Sequence, residues 1–170
     1  DMDALKSDDV DSILPLFLPV DSEAYYGIAG TAVRTLMRLV DTGLYPDKAY
    51  IMQKTEDENG ALQKVEGEKG FVSALGGKGN ALQFTASVFG QEKFAAVDED
   101  ALDAIGELLN CINGLYVSEC KDGSSLELMP PSFKTGIQGF ESRKMLVLPI
   151  HIKNDCVDLM IAIGDEIEMK

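Results

Sequence analysis

Twice along this chain an apolar spacing of three to four residues gives way to alternation by two. That switch constrains the fold more than any other feature of the sequence. Over 23–42, in "EAYYGIAGTAVRTLMRLVDT", Ile28, Ala32, Leu36, Leu39 and Val40 recur at helical spacing, with Asp21 or Ser22 as the cap and Gly43 as the stop. "KAYIMQKT" and "ALQKVE" then flank "EDENG", whose Asn59-Gly60 is a hairpin signal, and "GFVSAL" and "NALQFTASVFG" flank the turn "GGKG". A second helix is predicted over 98–113. After it come "LYVSEC" and "LELM" around "KDGSS", turning at Asp122-Gly123, then "KMLVLPIHI" and "CVDLMIAIG" around "KND". Helix, hairpin, hairpin is thus written twice. The expectation is a two-layer α+β fold: a tandem repeat of helix-plus-three-strand units, with two helices packed on one face of a mostly antiparallel sheet.

At 170 residues the chain suffices for one well-cored domain. Residues 1–22 read as a leader in which Asp11 or Ser12 can cap a short helix limited by Pro15 and Pro19, and 23–170 as a single domain. A start on Asp1 rather than Met leads us to expect a piece of a longer protein. "ILPLFLPV" is too short to span a membrane, and the opening "DMDALKSDD" lacks the basic start of a secretory signal. The net charge of −14 disfavours nucleic acid and anionic membrane and suits a partner with exposed Lys or Arg. Cys111, Cys120 and Cys156 have no CxxC spacing, so reduced thiols in a cytoplasmic protein are expected, with no zinc site.

The second helix carries a stripe worth isolating. On a helical wheel Ala101, Leu102, Ile105, Leu108, Leu109 and Ile112 fall within an arc of about 120°, a core-facing width. Asp103, Glu107, Asn110 and Gly114 fall within about 60° on the other side. Gly106 beside them keeps the surface low and leaves room for an approaching group. Solvation explains most polar helix faces. This one, however, has no basic residue with which its acids could form the usual i,i+4 pairs. The helix dipole accounts for Asp100 and Asp103 in the first turn but not for Glu107 and Asn110.

Asp103-x3-Glu107-x2-Asn110, within "DAIGELLNCING", resembles the signature helix of the CheC/CheX/FliY family of chemotaxis phosphatases, in which a Pro follows about twenty residues later. "MPPSF" supplies Pro130 and Pro131 at a slightly shortened gap, and "KMLVLPIHIKNDCVDLMIAIG" is similar to the family's closing hairpin. The resemblance covers roughly 23–165 and implies a fold of two helix-plus-three-strand units. It also implies a substrate, the phosphorylated aspartate of a CheY-like response-regulator receiver. Asn110 would orient the attacking water and Glu107 would pair with the receiver's active-site Lys, while Asp103, Gly114, Pro130 and Pro131 fall to the surface that meets the partner. No cofactor of the chain's own is implied, since Mg²⁺ comes with the receiver. No E-x2-N occurs in 23–42, where Leu36 and Leu39 stand opposite Glu107 and Asn110, so the chain resembles the single-site CheX branch, whose members can pair as homodimers. A non-catalytic receiver-binding or dimerisation module with the same fold is the alternative, and a structural module of a flagellar switch is a third reading.

Other motifs carry less. "GGKGN" lacks the GxxxxGK[ST] spacing and is read as a hairpin turn with no helix behind it. His151, the sole histidine, is read at strand alternation as a structural or surface residue rather than a catalyst. Asp98, Glu99 and Asp100 cap the second helix rather than bind a cation. Arg34 and Arg38, one turn apart, are expected to pair within the chain.

Overall fold

A computed structural model of the chain describes residues 14–18, 23–120 and 125–170. In chain order its elements are α1 (Tyr26–Leu39), β1 (Tyr45–Pro46), β2 (Tyr50–Lys54), β3 (Asn59–Glu66), β4 (Phe71–Gly77), α2 (Asn80–Gly90) and α3 (Glu99–Glu119). They continue with β5 (Glu127–Leu128), β6 (Ser132–Lys134), β7 (Phe140–Ile152), β8 (Asp155–Ile163) and β9 (Glu168–Met169). All strands pair antiparallel in one nine-stranded sheet, with β2 on β7, then β8, β4 and β3, and β6 beside β3. The α+β class and the duplication are both present. Hairpins β3–β4 and β7–β8 lie back to back through β4 and β8. Each half's leading strand, β2 or β6, crosses to pair with the other half's hairpin.

That exchange corrects the first predicted turn. "EDENG" is a crossover between β2 and β3, and the hairpin is β3–β4, turning through 67–70. Gly60 sits inside β3 opposite Gly76 because the Phe140 ring lies over both. An added Cβ would come within 2.4 Å of Phe140 Cζ at Gly60 and 2.5 Å of Cε2 at Gly76. A glycine demanded by close packing therefore looked like a turn glycine. The "KND" turn holds: Lys153 and Asn154 both adopt positive φ, 52° and 66°, as a two-residue hairpin twisted like its strands requires.

Among the described residues there are three α-helices rather than two. "NALQFTASVFG", expected as a strand, is α2. Its buried Ala81, Leu82, Thr85 and Ala86 follow helical spacing, and its first turn is capped from far away when Ala81 N–H donates to Asp155 Oδ2 at 2.9 Å. "GGKG" is accordingly the link from β4 into a helix. The anion place at that helix end is filled by Asp155. "LYVSEC" is also helical to Glu119, since Gly114 does not break α3 and Tyr116 packs edge-on against Phe71, 5.6 Å between ring centres. α1 begins after a 3₁₀ turn at Glu23–Tyr25 and ends short of Gly43, with Val40 N–H bonded to Leu36 O. The caps expected at Asp11 or Ser12 and at Asp21 or Ser22, and the Asp122-Gly123 turn, lie outside the described residues. Leu14 and Leu18, from the segment read as a leader, are buried in the main core.

Two apolar clusters occupy the two faces of the sheet. The larger joins the helices to Ala61, Val65, Phe71, Leu75, Leu148, Leu159 and Ile161; the smaller gathers Val72, Ala74, Phe140, Met145, Val147 and Met160 on the reverse. Asp57, 3% exposed, lies on that reverse side against Asp158. Burial, then the neighbouring Asp158, push the Asp57 carboxyl up to about 7, and burial raises Asp158 as well. Asp57 Oδ2 is buried without a hydrogen-bond partner, and the protonated Asp57 carboxyl can donate to Asp158. Between the ordinary 3.8 and about 7 the folded chain keeps a proton the unfolded chain has lost, so stability falls as pH rises through that window. Asp57→Asn supplies an amide N–H in place of that proton. It is expected to raise Tm by roughly 3–6 °C at pH 8 and to change it little at pH 4, read by scanning fluorimetry. A variant that declines with pH as the wild type does would place the effect elsewhere.

Candidate functional site

α3 is built to present one face. Asp98 caps it, accepting from Ala101 N–H at 2.9 Å, and Glu99 and Asp100 follow in the first turn, as the sequence requires. Ala101, Leu102, Ile105, Leu108, Leu109 and Ile112 are fully buried against β3, β4 and the neighbouring helices. Asp103, Glu107 and Asn110 are exposed on the outer side, and Gly114 is half-buried.

The structure gathers some of the predicted residues and separates others. Pro131 lies directly over Gly106: a Cβ there would stand 3.3 Å from Pro131 Cβ and 3.4 Å from its Cγ. The room expected above Gly106 is thus taken by the proline ring. The "MPP" segment is held in place by Met129 N–H, which donates to Lys64 O at 2.9 Å. Pro131 therefore borders the helix surface that carries Glu107 and Asn110, with the exposed Pro130 next to it in the chain. Asp103 lies a turn earlier on α3. Gly114 lies toward Leu128, whose Cδ2 would be 3.9 Å from an added Cβ.

Asn110 is not free to turn. Its Oδ1 accepts from Gln63 Nε2 at 2.8 Å, and the same Nε2 donates to Met129 O at 2.8 Å. Gln63 Oε1 accepts from Asn113 Nδ2 at 2.9 Å, and Asn113 Oδ1 accepts from Ser73 Oγ at 3.0 Å. Gln63, Ser73 and Asn113 are all buried, at 0%, 1% and 0% exposure. Sequence reasoning passed over these three, although a signal was there. Gln63 shares the inward parity of Ala61 and Val65 on β3, Ser73 is its cross-strand partner, and Asn113 borders the apolar arc of α3. Polar residues at core positions must be hydrogen-bonded, and here they bond to one another and to Asn110.

The other candidates resolve as structure. His151 Nε2 meets Asp47 Oδ2 at 2.9 Å and its ring stacks on Tyr45, 4.8 Å between centres. The His151 hydrogen bond holds the Asp47 carboxyl below its usual range. Burial, with Asp158 nearby, pushes the Cys156 thiol up to about 11, so it is no ready nucleophile. Among the described residues no three of His, Cys, Asp and Glu converge as metal ligands, and no helix is long and apolar enough to cross a membrane. Two broad surface depressions, of about 820 and 780 Å³, open around Arg143 and Lys170 and around Tyr50 and Met52, away from the stripe. The face bearing Glu107 and Asn110 is exposed helix surface, bordered by the proline that packs on Gly106.

The family described as chemotaxis phosphatase CheX matches residues 60–151, a span that contains β3 from Gly60 on, α3 and the "MPP" segment. No curated protein matches the sequence. In fold the chain is similar to the chemotaxis protein CheX of Desulfovibrio desulfuricans, at 14% identity and a TM-score of 0.68, over 84% of this chain and 99% of that one. CheX of Vibrio vulnificus gives 14% and 0.69, over 84% and 100%. The CheX–CheY–BeF3–Mg complex of Borrelia burgdorferi gives 16% and 0.61, over 83% and 97%.

The contact between Pro131 and Gly106 yields a prediction. Gly106→Val overpacks it and is expected to cost about 1–3 kcal/mol in urea unfolding. Lifting the segment should also speed amide exchange at Met129, whose N–H is tied to Lys64. Unchanged exchange at Met129 would mean that Pro131 does not hold the segment down.

Proposed function

Since the chain belongs to the CheX family of chemotaxis phosphatases, we propose that it hydrolyses the aspartyl phosphate of a CheY-like receiver domain, with Asn110 and Glu107 as the groups that enter the receiver's site. The observation that carries this reading is the joint exposure of Glu107 and Asn110 on α3, one turn apart, with the carboxamide of Asn110 held from behind. The capture of a CheY with BeF3 and Mg by the Borrelia relative supports the class of partner.

In the reaction a water attacks phosphorus in line, the bond from phosphorus to the aspartate oxygen breaks, and inorganic phosphate leaves. Mg²⁺ and Lys held by the receiver take up the developing charge. What remains for this chain is to place the water. With one Oδ1 lone pair used by Gln63, Asn110 retains its NH₂ group to donate to the water oxygen and a second lone pair to accept one of its protons. Glu107 supplies a carboxylate for the receiver's Lys. Asp103 and the net charge of −14 favour approach to that basic point. Pro130 and Pro131 form the neighbouring rim of the contact.

The test is phosphate release from receivers of the source organism, phosphorylated by a small-molecule donor in Mg²⁺. Wild-type chain is expected to accelerate loss from at least one. Asn110→Ala should lower turnover by on the order of 100-fold while still binding the beryllofluoride-loaded receiver. Glu107→Ala should weaken that binding by about 10-fold or more. Binding without acceleration would make the chain a receiver-binding module and remove the enzymatic reading.

A further inference from the structure

Asn110 makes a competent water-orienting group only if its amide is presented the right way round, and the side chain alone does not decide that. A carboxamide turned by 180° exchanges its donor edge for its acceptor edge at almost no change in shape. We propose that Gln63 is a positioning residue that fixes this choice, resting on the receiver-phosphatase reading above. The fixed reference is Met129 O, a backbone carbonyl that can only accept. The end of Gln63 that faces it at 2.8 Å must therefore be the NH₂ group.

Every other orientation then follows in sequence. The second N–H of Gln63 donates to Asn110, so the atom of Asn110 that faces inward is Oδ1. The far end of Gln63 is Oε1, which requires a donor, so Asn113 turns Nδ2 toward it at 2.9 Å. Asn113 Oδ1 in turn requires a donor, and the Ser73 hydroxyl supplies it at 3.0 Å. Reversing Gln63 alone would set two carbonyls face to face at Met129 and oppose two NH₂ groups at Asn113. With Gln63, Asn113 and Ser73 removed from water, no solvent can make good those losses. Asn110 thus meets its partner with its NH₂ group outermost.

A buried polar cluster could instead serve only to seat α3 on the sheet, and the measurements separate the two roles. Nitrogen relaxation of the Asn110 side-chain amide in the wild-type chain should give an order parameter near ~0.85, like rigid backbone, although the residue is exposed. A value below about 0.6 would overturn the proposal without any variant. Gln63→Met keeps the length of the side chain and removes its donor. It is expected to drop the Asn110 order parameter below about 0.6 and kcat by on the order of 10–100-fold. KM and the affinity for the beryllofluoride-loaded receiver should stay within about 2-fold of wild type, because α3 and its Glu107 remain in place. A folded Gln63→Met chain with wild-type kcat, or one whose loss lies wholly in KM and binding, refutes it. If wild type accelerates no receiver, the enzymatic reading falls by that result alone. The relaxation measurement would still decide whether Gln63 holds Asn110.

Discussion

The structure turns on the set of hydrogen bonds that runs from Ser73 through Asn113 and Gln63 to Asn110 and Met129 O. Apolar burial of Leu102, Ile105, Leu108, Leu109 and Ile112 supplies most of the attraction between α3 and the sheet, at about 1.5–3 kcal/mol gross for each side chain. That attraction has no direction, and a helix held by it alone tolerates sliding and rolling. A paired amide contributes only about 1 kcal/mol net, but leaving a buried one unpaired costs about 1–3 kcal/mol. Any shift of α3 that breaks one of these bonds strands a buried group. The polar trio adds direction to that attraction in two separable parts: the Ser73–Asn113 bond still ties α3 to the sheet when Gln63 is replaced, whereas the tie to Asn110 runs through Gln63 alone.

The same constraint helps explain why the site is one-sided in a duplicated fold. The two halves share strand order and exchange their leading strands, yet only α3 carries the outward pair. α1 has no Glu-x2-Asn: its Leu36 is fully buried and its partly exposed Leu39 is apolar. Thr35, buried on the same helix, bonds within it, Oγ1 to Thr31 O at 2.7 Å, and buried Thr31 Oγ1 donates to Glu119 Oε2 of α3 at 3.4 Å, so neither reaches into the sheet. Polar bonds across the helix–sheet contact belong to the α3 repeat.

Much of this was legible from residue types alone, and the failures share a cause. α3, the inward arc, the Asp98 cap and the "KND" turn are local, set by residues a few positions apart. Asn59-Gly60 misled because its glycine answers to Phe140, some eighty residues downstream in the sequence. α2 was missed because the group that caps its first turn, Asp155, sits in the β7–β8 hairpin, so "GGKGN" looked like a turn with nothing behind it. Gln63 was passed over as an ordinary member of "ALQKVE", since its partners Asn110, Asn113 and Met129 become neighbours only when β3, α3 and the proline segment assemble. At the site, sequence identified the residues that face outward; the residues that orient them from within needed the fold.

The fixed orientation of Asn110 also bears on how such a surface could be borrowed. The exposed motif is a few residues of one helix, and it invites transplantation onto a designed bundle. There the carboxamide would sit on a helix surface with no inward donor, free to rotate and to offer either edge. The smallest portable unit is discontinuous: a strand pair carrying Gln63 and Ser73, the helix through Asn113, and the turn that brings the Met129 carbonyl. A short exposed motif is here the visible end of a three-element assembly.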